Sequence, residues 1–258
     1  MASYGNPEQV WWTVQGLRMY QDVDDCEILV LDNQGNSDTK DAAKGCKVRY
    51  EVMNEVNGTG PARNAIFDYA KGDFVLVIDS HVLLWKDAIK NLKTWLSENW
   101  EDASNLIHGP LVLSGLQVAY THYENKWRAE MWGIWGKEVK VSELGSYPIE
   151  IGMMGCGLFG CRKDSWLGFT KGAKGFDGVE GVLHEKYRLA GRKVLSLPFL
   201  KWVHKFHKKG GKIPYPLLLE DKIRNFLLGF KDIGMDPSPV YEHFGYDRVE
   251  RIARSIEC

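Results

Sequence analysis

The stretch FVLVIDSH at Phe74–His81 decides the fold. Its five apolar residues follow the breaker Lys71-Gly72-Asp73, a pattern typical of a strand buried on both faces of a parallel sheet. Asp79-Ser80-His81 then stands at the carboxyl end of the strand, where open α/β sheets bind ligands. Asp79 and His81 lie two positions apart on an extended segment, so both can ligate one divalent cation. The alternative is a polar strand end that only leads into the next helix.

The composition limits the classes of protein to which this chain can belong. A length of 258 residues with 44% hydrophobic and 26% charged residues fits one large globular domain, or a domain with an appendage. The formal net charge of -1 gives no overall drive toward nucleic acid or acidic lipid, although His204–Lys212 is a local basic patch. Five scattered cysteines favour reduced thiols over a disulfide framework. No apolar run approaches the roughly 18 residues of a membrane span, so we expect a cytoplasmic protein without an anchor.

The first half of the chain alternates between helical and strand patterns. A helix is predicted over Pro7–Tyr20, a buried strand over Glu27–Asn33, a short strand over Val48–Val52 and a helix over Ala62–Ala70. With the strand before Asp79, this order favours a mainly parallel α/β sheet in one domain, and the second half is less regular. A first strand should precede Pro7, where few residues are left. That strand is therefore very short, or the natural protein begins upstream.

Several polar residues in this half are candidates for ligand contacts. Asp32 and Asn33 end a predicted strand and suit the edge of a nucleobase, although a strand-end Asp also makes turns. Arg63 lies in the first turn of a helix, where it opposes the helix dipole and so indicates an anionic partner such as a diphosphate. A surface Arg is the alternative. The Walker pattern and the Gly-x-Gly-x-x-Gly fingerprint are both missing.

The second half adds aromatic, acidic and basic candidates. Trp127, Trp132 and Trp135 could stack on the rings of a sugar acceptor or pack in the core. Glu180 and His184 have helical spacing, but His-Glu-x-x-His is absent, which disfavours a zinc protease. The patch His204–Lys212 could supply a third metal ligand and pyrophosphate contacts, or could be a solvated loop.

The order of these motifs resembles the GT-A fold glycosyltransferases over Ala2–Tyr215. The resemblance in the first half rests on a Ser-Tyr-Gly-Asn-Pro loop at Ser3–Pro7, an apolar run ending in Asp32-Asn33, Ala62-Arg63-Asn64, and Asp79-Ser80-His81. Asp32-Asn33 is similar to the family's Asp-Asp uracil site, with Asn33 replacing the second Asp. Ala62-Arg63-Asn64 looks like the Ala-Arg-Asn helix start of family 2 enzymes. Asp79-Ser80-His81 looks like the Asp-x-Asp metal motif in the Asp-Ser-His form of polypeptide N-acetylgalactosaminyltransferases.

Three later motifs follow in the same order. Gly157-Leu158-Phe159 matches a Gly-Leu-Phe of those enzymes, Gly178–Gly181 is similar to their Gly-Gly-Glu-Asn, and Val203–His207 resembles Val-Gly-His-Val-Phe-Arg. Inverting family 2 enzymes usually carry Glu-Asp where this chain has Glu180-Gly181, so the usual carboxylate base is missing. That departure favours retention of the anomeric configuration. The lectin domain of the polypeptide-modifying enzymes is absent, so their acceptor is not carried over.

The resemblance implies a fold and a division of the chain. We expect a GT-A, Rossmann-like, three-layer α/β fold with a mainly parallel central sheet and a short or missing first strand. Residues 1–215 would form the catalytic domain, with a nucleotide-sugar-binding half at 1–85 and an acceptor half at 86–215. Residues 216–258 would form a helical extension packed on the same domain.

The resemblance also implies the residues of the site. A divalent ion, Mn²⁺ or Mg²⁺, would be held by Asp79, His81 and His204. Catalysis would use Glu180 or Glu185, and an acceptor would lie against Trp127, Trp132 and Trp135. The predicted donor-binding residues are Ser3, Tyr4, Asp32, Asn33, Arg63, Asp79, Ser80, His207 and Lys208.

The implied function is transfer of a sugar from a nucleoside-diphosphate sugar, with UDP as the expected nucleotide, to a hydroxyl acceptor with retention. The acceptor stays open between a saccharide, a protein, a small molecule and modified DNA. Two alternatives also stay open. One is a viral-type DNA glycosyltransferase acting on a hydroxymethylated base, and the other is a nucleotide-sugar-binding module without turnover.

Overall fold

The structure, a computed structural model, describes residues 1–54, 58–113, 115–205 and 215–257. The helices are α1 Pro7–Tyr20, α2 Ser37–Gly45, α3 Thr59–Tyr69, α4 Ala88–Glu98, α5 Glu180–Leu189, α6 Leu219–Asp232, α7 Ser238–Phe244 and α8 Tyr246–Glu257. The strands are β1 Ala2–Ser3, β2 Leu29–Asp32, β3 Arg49–Val52, β4 Phe74–Ile78, β5 Val82–Leu84, β6 Leu106–His108, β7 Leu111–Val112, β8 Val118–Tyr120, β9 Tyr123–Arg128, β10 Met131–Trp135, β11 Glu138–Lys140, β12 Ile149–Glu150, β13 Leu158–Arg162, β14 Val194–Ser196 and β15 Trp202–His204.

The first four strands form the parallel half of the central sheet. β1 pairs with β2 and β2 pairs with β3, both in parallel register. A parallel bridge between Ala2 and Asp79 places β1 beside the end of β4. The predicted α/β class and Rossmann-like fold are therefore confirmed, and β1 is as short as expected, with two residues.

Beyond β4 the sheet is mixed, in the order β4-β13-β6-β14-β12. β13 runs antiparallel to both β4 and β6, whereas β14 is parallel to β6. The prediction of a mainly parallel sheet thus holds only as far as β4. The reason is the connection between the strands. The chain passes through β7 to β12 before it reaches β13, and not through a single crossover helix, so β13 can pair antiparallel with its neighbours.

A second sheet in the order β11-β8-β7-β15-β5 determines where His204 lies. β15 pairs antiparallel with β5, and the register sets His204 opposite Val82. The amide of Lys205 donates to the carbonyl oxygen of His81 at 3.0 Å, which extends this pairing by one step. His204 is therefore brought beside the turn that joins β4 to β5.

Two apolar cores support these sheets. The larger core contains the buried residues of the central sheet and of α1 to α5. The smaller core lies between the β9–β10 hairpin, α5 and the C-terminal helices, and it contains Trp132, Met153, Val182, Ile223, Phe226, Phe230, Val240, Val249 and Ile252. In the described part of the chain, no helix is long and apolar enough to cross a membrane.

The short first strand leaves a buried amine beside an apolar cavity. The α-amino group of Met1 donates to the carbonyl oxygen of Leu29 at 2.6 Å. A cavity of about 290 Å³ adjoins it, lined largely by apolar side chains of α1, β2, β4 and α4. Burial lowers the pKa of this amine to about 5, an effect that the carboxylate of Asp79 only partly opposes.

We expect this amine to make unfolding depend on pH. The α-amino group titrates near pH 8 when unfolded and near 5 when folded, so between these values only the unfolded state binds the proton. The free energy of unfolding should therefore rise from pH 5 to pH 8. The shift of this one pKa from 8.0 to about 5 accounts for up to about 4 kcal/mol of that rise, because one pKa unit corresponds to about 1.4 kcal/mol.

Denaturant unfolding at several pH values, on the free and the N-acetylated chain, measures this contribution. Acetylation removes the charge and should flatten the rise between pH 5 and pH 8. Curves of equal slope for the two forms would contradict the assignment to Met1.

Candidate functional site

Three predicted metal ligands converge at the end of β4. The amide of Val82 donates to the carbonyl oxygen of Asp79 at 3.2 Å, which closes a tight turn carrying Asp79 and His81. β15 brings His204 to the same place, and one ligand atom from each of the three residues lies within 4.8 Å of the others. The Nε2 atoms of His81 and His204 are 2.8 Å apart, and Nε2 of His204 lies 3.9 Å from Oδ2 of Asp79.

This donor set fits a divalent cation. A carboxylate oxygen and two imidazole nitrogens are ligands that first-row divalent metals accept. Two atoms that each lie about 2.1 Å from an ion, at right angles, are about 3 Å apart. The observed 2.8 Å between the imidazole nitrogens is close to that separation. Asp79, His81 and His204 could therefore hold the ion with little rearrangement.

Arg63 links the metal ligands to Glu180. Arg63 is the fifth residue of α3, because the helix begins at Thr59 and not at the predicted Ala62. Its guanidinium is buried, donates to Oδ1 of Asp79 at 3.0 Å and lies 3.5 Å from Oε1 of Glu180. Burial alone would raise the pKa of Asp79. The charges of Arg63, His81 and His204, together with the hydrogen bond from Arg63, outweigh burial and keep that pKa below its ordinary value. Burial likewise opposes the charge of Arg63, but Asp79 and Glu180 raise its pKa, so the guanidinium stays protonated.

Six of the predicted donor-binding residues line one pocket beside the metal ligands. They are Ser3, Tyr4, Asn33, Arg63, Asp79 and Ser80. The hydroxyl of Ser3 is buried and has no hydrogen-bond partner among the residues that the structure describes. Such a group favours a ligand in the pocket, because a buried polar atom without a partner costs free energy. Phe176 and Tyr215 close another side of the pocket and stack at 3.9 Å between ring centroids.

Asp32 does not line this pocket. Its carboxylate is fully buried, and it accepts hydrogen bonds from the amides of Gln34 and Asn36 and from the hydroxyl of Tyr50, at 2.8 to 3.0 Å. Asp32 therefore holds the turn after β2. Asn33 is the residue of this pair that reaches the pocket, where its Oδ1 accepts from the amide of Gly58 at 2.8 Å.

His207 and Lys208 lie outside the described residues, so their predicted contacts with a diphosphate remain predictions. Glu185 is described but is not brought to the metal ligands. It lies on α5 beyond Glu180, and its carboxylate pairs with Arg188 at 2.5 Å.

Glu180 is the predicted catalytic residue that does reach the site. It begins α5, and its carboxylate faces Arg63 at 3.5 Å. Burial raises its pKa, and the nearby carboxylate of Asp177 raises it further, against the opposing charge of Arg63. A raised pKa is the direction of shift that general acid–base catalysis by a carboxyl group uses.

Packing around residue 181 explains why this position holds a glycine. A Cβ built on this residue would overlap the indole ring of Trp132. Trp132 is only 7% exposed, its Nε1 donates to Oδ1 of Asn125, and its ring belongs to the smaller core. The aromatic ring thus fills the space that a side chain at position 181 would need.

The three predicted acceptor tryptophans differ in surroundings. Trp132 presents almost no surface, and Trp127 packs against Phe226 and Phe244 at centroid distances of 4.9 and 5.7 Å. Trp135 is 37% exposed and meets the ring of Tyr123 edge-on at 4.6 Å. Contact with an acceptor stays a prediction for this set, and Trp135 is the member with the most exposed surface.

The sequence did not reveal a buried histidine pair behind Glu180. His184 donates from Nδ1 to the carbonyl oxygen of Glu180 at 2.6 Å, and its Nε2 lies 3.0 Å from Nε2 of His108. Nδ1 of His108 is 2.9 Å from the carbonyl oxygen of Leu158. Burial lowers the pKa of His184 to about 4 and that of His108 well below its ordinary value, so both rings stay neutral. The sequence signal for this pair is the four-residue spacing of Glu180 and His184. In the structure that spacing allows the His184 ring to bind the backbone carbonyl of Glu180 and not its carboxylate.

Replacing Gly181 by Ala should destabilise the fold. In a helix, Gly→Ala alone stabilises by about 1 kcal/mol. Here the added Cβ meets the Trp132 ring, and overpacking of this kind costs about 1–3 kcal/mol. Gly45→Ala, at the end of α2, is the matched control because a Cβ there meets nothing within 4 Å. Denaturant unfolding should show a loss for Gly181→Ala and none for Gly45→Ala. A Gly181→Ala chain as stable as the parent would contradict the overlap.

Comparison with known proteins places this arrangement in a family. Residues 1–155 match the model of glycosyl transferase family 2, which is more than half of the chain. A comparison with curated protein sequences finds no significant match.

Solved structures show the same fold at low identity. One is GalNAc-T7 with UDP, GalNAc and Mn²⁺, with a TM-score of 0.61 and 14% identity over 91% of this chain and 53% of that one. Another is the mannosyltransferase PcManGT from Pyrobaculum calidifontis with GDP-Man and Mn²⁺. Its TM-score is 0.56 and its identity 12%, over 98% of this chain and 71% of that one. A third is S. aureus TarS 1-349 with UDP-GlcNAc, with a TM-score of 0.58 and 14% identity over 93% of this chain and 67% of that one. This chain thus spans about half the length of the GalNAc-T7 structure, and it belongs to glycosyl transferase family 2, with the GT-A fold that its motifs predict.

Proposed function

We propose that this chain transfers a sugar from a nucleoside-diphosphate sugar to a hydroxyl acceptor, with the help of a divalent cation. The observation that carries this proposal is the convergence of Asp79, His81 and His204 beside Arg63, on the wall of one pocket. Each of the three similar structures contains a nucleotide or a nucleotide sugar, and two of them contain Mn²⁺. Manganese is therefore the cation that we propose first, with magnesium as the second choice.

The proposed chemistry divides between the cation and the protein. When bound, the cation offsets the negative charge that grows on the departing nucleoside diphosphate. Arg63 adds a second, permanent positive charge on the pocket wall and holds Asp79 in place through the 3.0 Å ion pair. Its burial keeps water away from this charge, which makes its effect on an anion stronger than at the surface.

We propose uridine as the base of the donor, with Asn33 in contact with it. Asn33 lines the pocket, whereas Asp32 does not line it and holds the turn after β2 instead. The unpartnered hydroxyl of Ser3 and the ring of Tyr4 lie on the same wall and are proposed contacts of the nucleoside.

We propose retention as the stereochemical outcome. Inversion needs a carboxylate base on the acceptor side, and the position that resembles the family base is Gly181, where Trp132 fills the available space. Glu180, paired with Arg63, is proposed to orient the sugar or the acceptor hydroxyl. The acceptor is a hydroxyl of a saccharide, a protein, a small molecule or a modified base, and an acceptor screen has to choose between them.

Donor binding and donor hydrolysis test the proposal. Thermal midpoints and slow hydrolysis should be measured with a panel of UDP, GDP and dTDP sugars, each with Mn²⁺ and with a chelator. We expect stabilisation and hydrolysis with a UDP sugar, and loss of both with the chelator. Binding without any hydrolysis or transfer would favour a nucleotide-sugar-binding module, and no response to any donor would contradict the proposal.

Asp79→Asn should abolish metal-dependent turnover while leaving a side chain of the same size. We expect a fall of roughly 100-fold or more, because a ligand to the cation and a partner of Arg63 are lost together. Asp73→Asn is the matched control, since Asp73 is an exposed carboxylate just before the other end of β4. An Asp79→Asn chain with full manganese-dependent hydrolysis would contradict the assigned site.

A further inference from the structure

The segment Gly172–Val179, which leads into Glu180, has an unusual backbone. Gly172, Gly175, Asp177 and Gly178 all have φ between +67° and +84°. For Asp177, which carries a Cβ, this left-handed conformation costs on the order of 1 kcal/mol, so the surroundings must hold it. The segment therefore depends on contacts from outside itself.

One side of the segment forms a wall of the donor pocket. Gly175 makes a parallel bridge with Gly58, and its carbonyl oxygen accepts from the amide of Thr59 at 3.0 Å. The amide of Asp177 donates to Oγ1 of Thr59 at 3.3 Å. Phe176, between them, lines the pocket and meets the ring of Tyr4 edge-on at 5.3 Å. The position of this segment thus fixes one face of the pocket.

The other side of the segment is held by Asn225 of α6. The residue is 1% exposed, and its side chain makes three hydrogen bonds to the segment. Oδ1 accepts from the amide of Lys174 at 3.1 Å, and Nδ2 donates to the carbonyl oxygens of Lys174 and Asp177 at 2.8 and 3.0 Å. We call these three hydrogen bonds the clamp. At a buried position each of them would be costly to lose.

Lys222 lies one turn earlier on the same face of α6. It is 5% exposed, and its ammonium lies 3.3 Å from a carboxylate oxygen of Asp177 and 2.9 Å from one of Glu130. A buried lysine that stays charged has to be paired. Lys222 therefore holds the side chain of Asp177 while Asn225 holds its backbone.

We propose that Asn225 and Lys222, both on α6, are positioning residues for the donor site. The inference rests on the proposed function, since the segment forms a wall of the pocket that is proposed to hold the nucleotide sugar. Neither residue touches that pocket. They act through Phe176, which lines it, and through Asp177, which precedes Glu180.

Asn225→Asp tests the clamp with a side chain of equal size. It keeps the acceptor for Lys174 and replaces the donating amine by an oxygen that faces two carbonyl groups. Asn105→Asp is the matched control. Asn105 is 9% exposed, accepts from the amide of Lys193 at 2.8 Å and donates to the carbonyl oxygen of Asp102 at 3.0 Å. It precedes β6, which runs in the same direction as β4, whereas Asp79 follows β4. Asn105 therefore lies at the other end of the strands from the metal ligands.

The readouts are the dissociation constant of UDP with Mn²⁺ by calorimetry and the thermal midpoint without ligand. We expect both variants to lose a few degrees, and Asn225→Asp alone to weaken UDP binding by about 10-fold. Equal losses of stability with UDP binding within about 2-fold of the parent in both variants would overturn the inference.

A second pair of variants keeps the test informative if Asn225→Asp does not fold. Lys222→Met removes the charge at similar length and should weaken UDP binding by about 5-fold. Lys186→Met is its control, because Lys186 pairs with Asp232 at 2.6 Å and so links α5 to α6 without touching the segment. Equal UDP affinity in these two variants would overturn the inference.

Hydrogen exchange separates the clamp from the proposed function. If UDP with Mn²⁺ does not bind the parent chain, the proposed function fails and the claim about donor binding fails with it. The amides of residues 172–179 still report on the clamp. Faster exchange there in Asn225→Asp, and not in Asn105→Asp, would support it, and unchanged exchange would overturn it.

Discussion

The buried ion pair between Arg63 and Asp79 is the interaction on which the rest of the site depends. The guanidinium cannot lose its charge, so burying it requires a carboxylate partner within reach. Arg63 is the fifth residue of α3, Asp79 directly follows β4, and Glu180, the second partner, begins α5. One charge therefore fixes the relative position of three elements. Removing one partner from a buried pair typically costs about 3–5 kcal/mol, because the other charge is left uncompensated.

The same charges explain why a cation and a diphosphate suit this place together. Arg63 favours the ionised form of Asp79, whereas burial and the nearby Asp177 raise the pKa of Glu180. The charges of Arg63 and Asp79 cancel each other. Under the proposed function, the donor brings negative charge and the cation brings positive charge, so their joint entry changes the local charge less than either alone. A buried site tolerates a nearly neutral pair far better than a single ion.

Much of this site could be predicted because its residues stand at the ends of apolar strands. The run before Asp79 indicates a buried strand, and its end is where ligands bind, so the local pattern predicts Asp79 and His81. Arg63 is predicted separately, from its place near a helix start. Asp32 shows the limit. The same pattern cannot tell whether a strand-end carboxylate points to a ligand or back to the turn, and here three hydrogen bonds hold it in the turn. The direction of the strands in the mixed half of the sheet could not be predicted from the sequence either, because it depends on how long connections return the chain to the sheet.

Contacts between distant elements could not be predicted for a different reason. Asn225 and Lys222 are polar positions on an amphipathic helix, where solvent exposure is the ordinary expectation, and only the fold reveals that both are buried. The smaller core explains why they matter. α6 buries Phe226 and Phe230 against Trp132, and Trp132 in turn covers Gly181 beside Glu180. The C-terminal helices therefore shape the surroundings of Glu180 from two sides, through an aromatic ring on one and a clamped backbone segment on the other. That dependence couples the surroundings of Glu180 to the packing of a region outside the matched family segment.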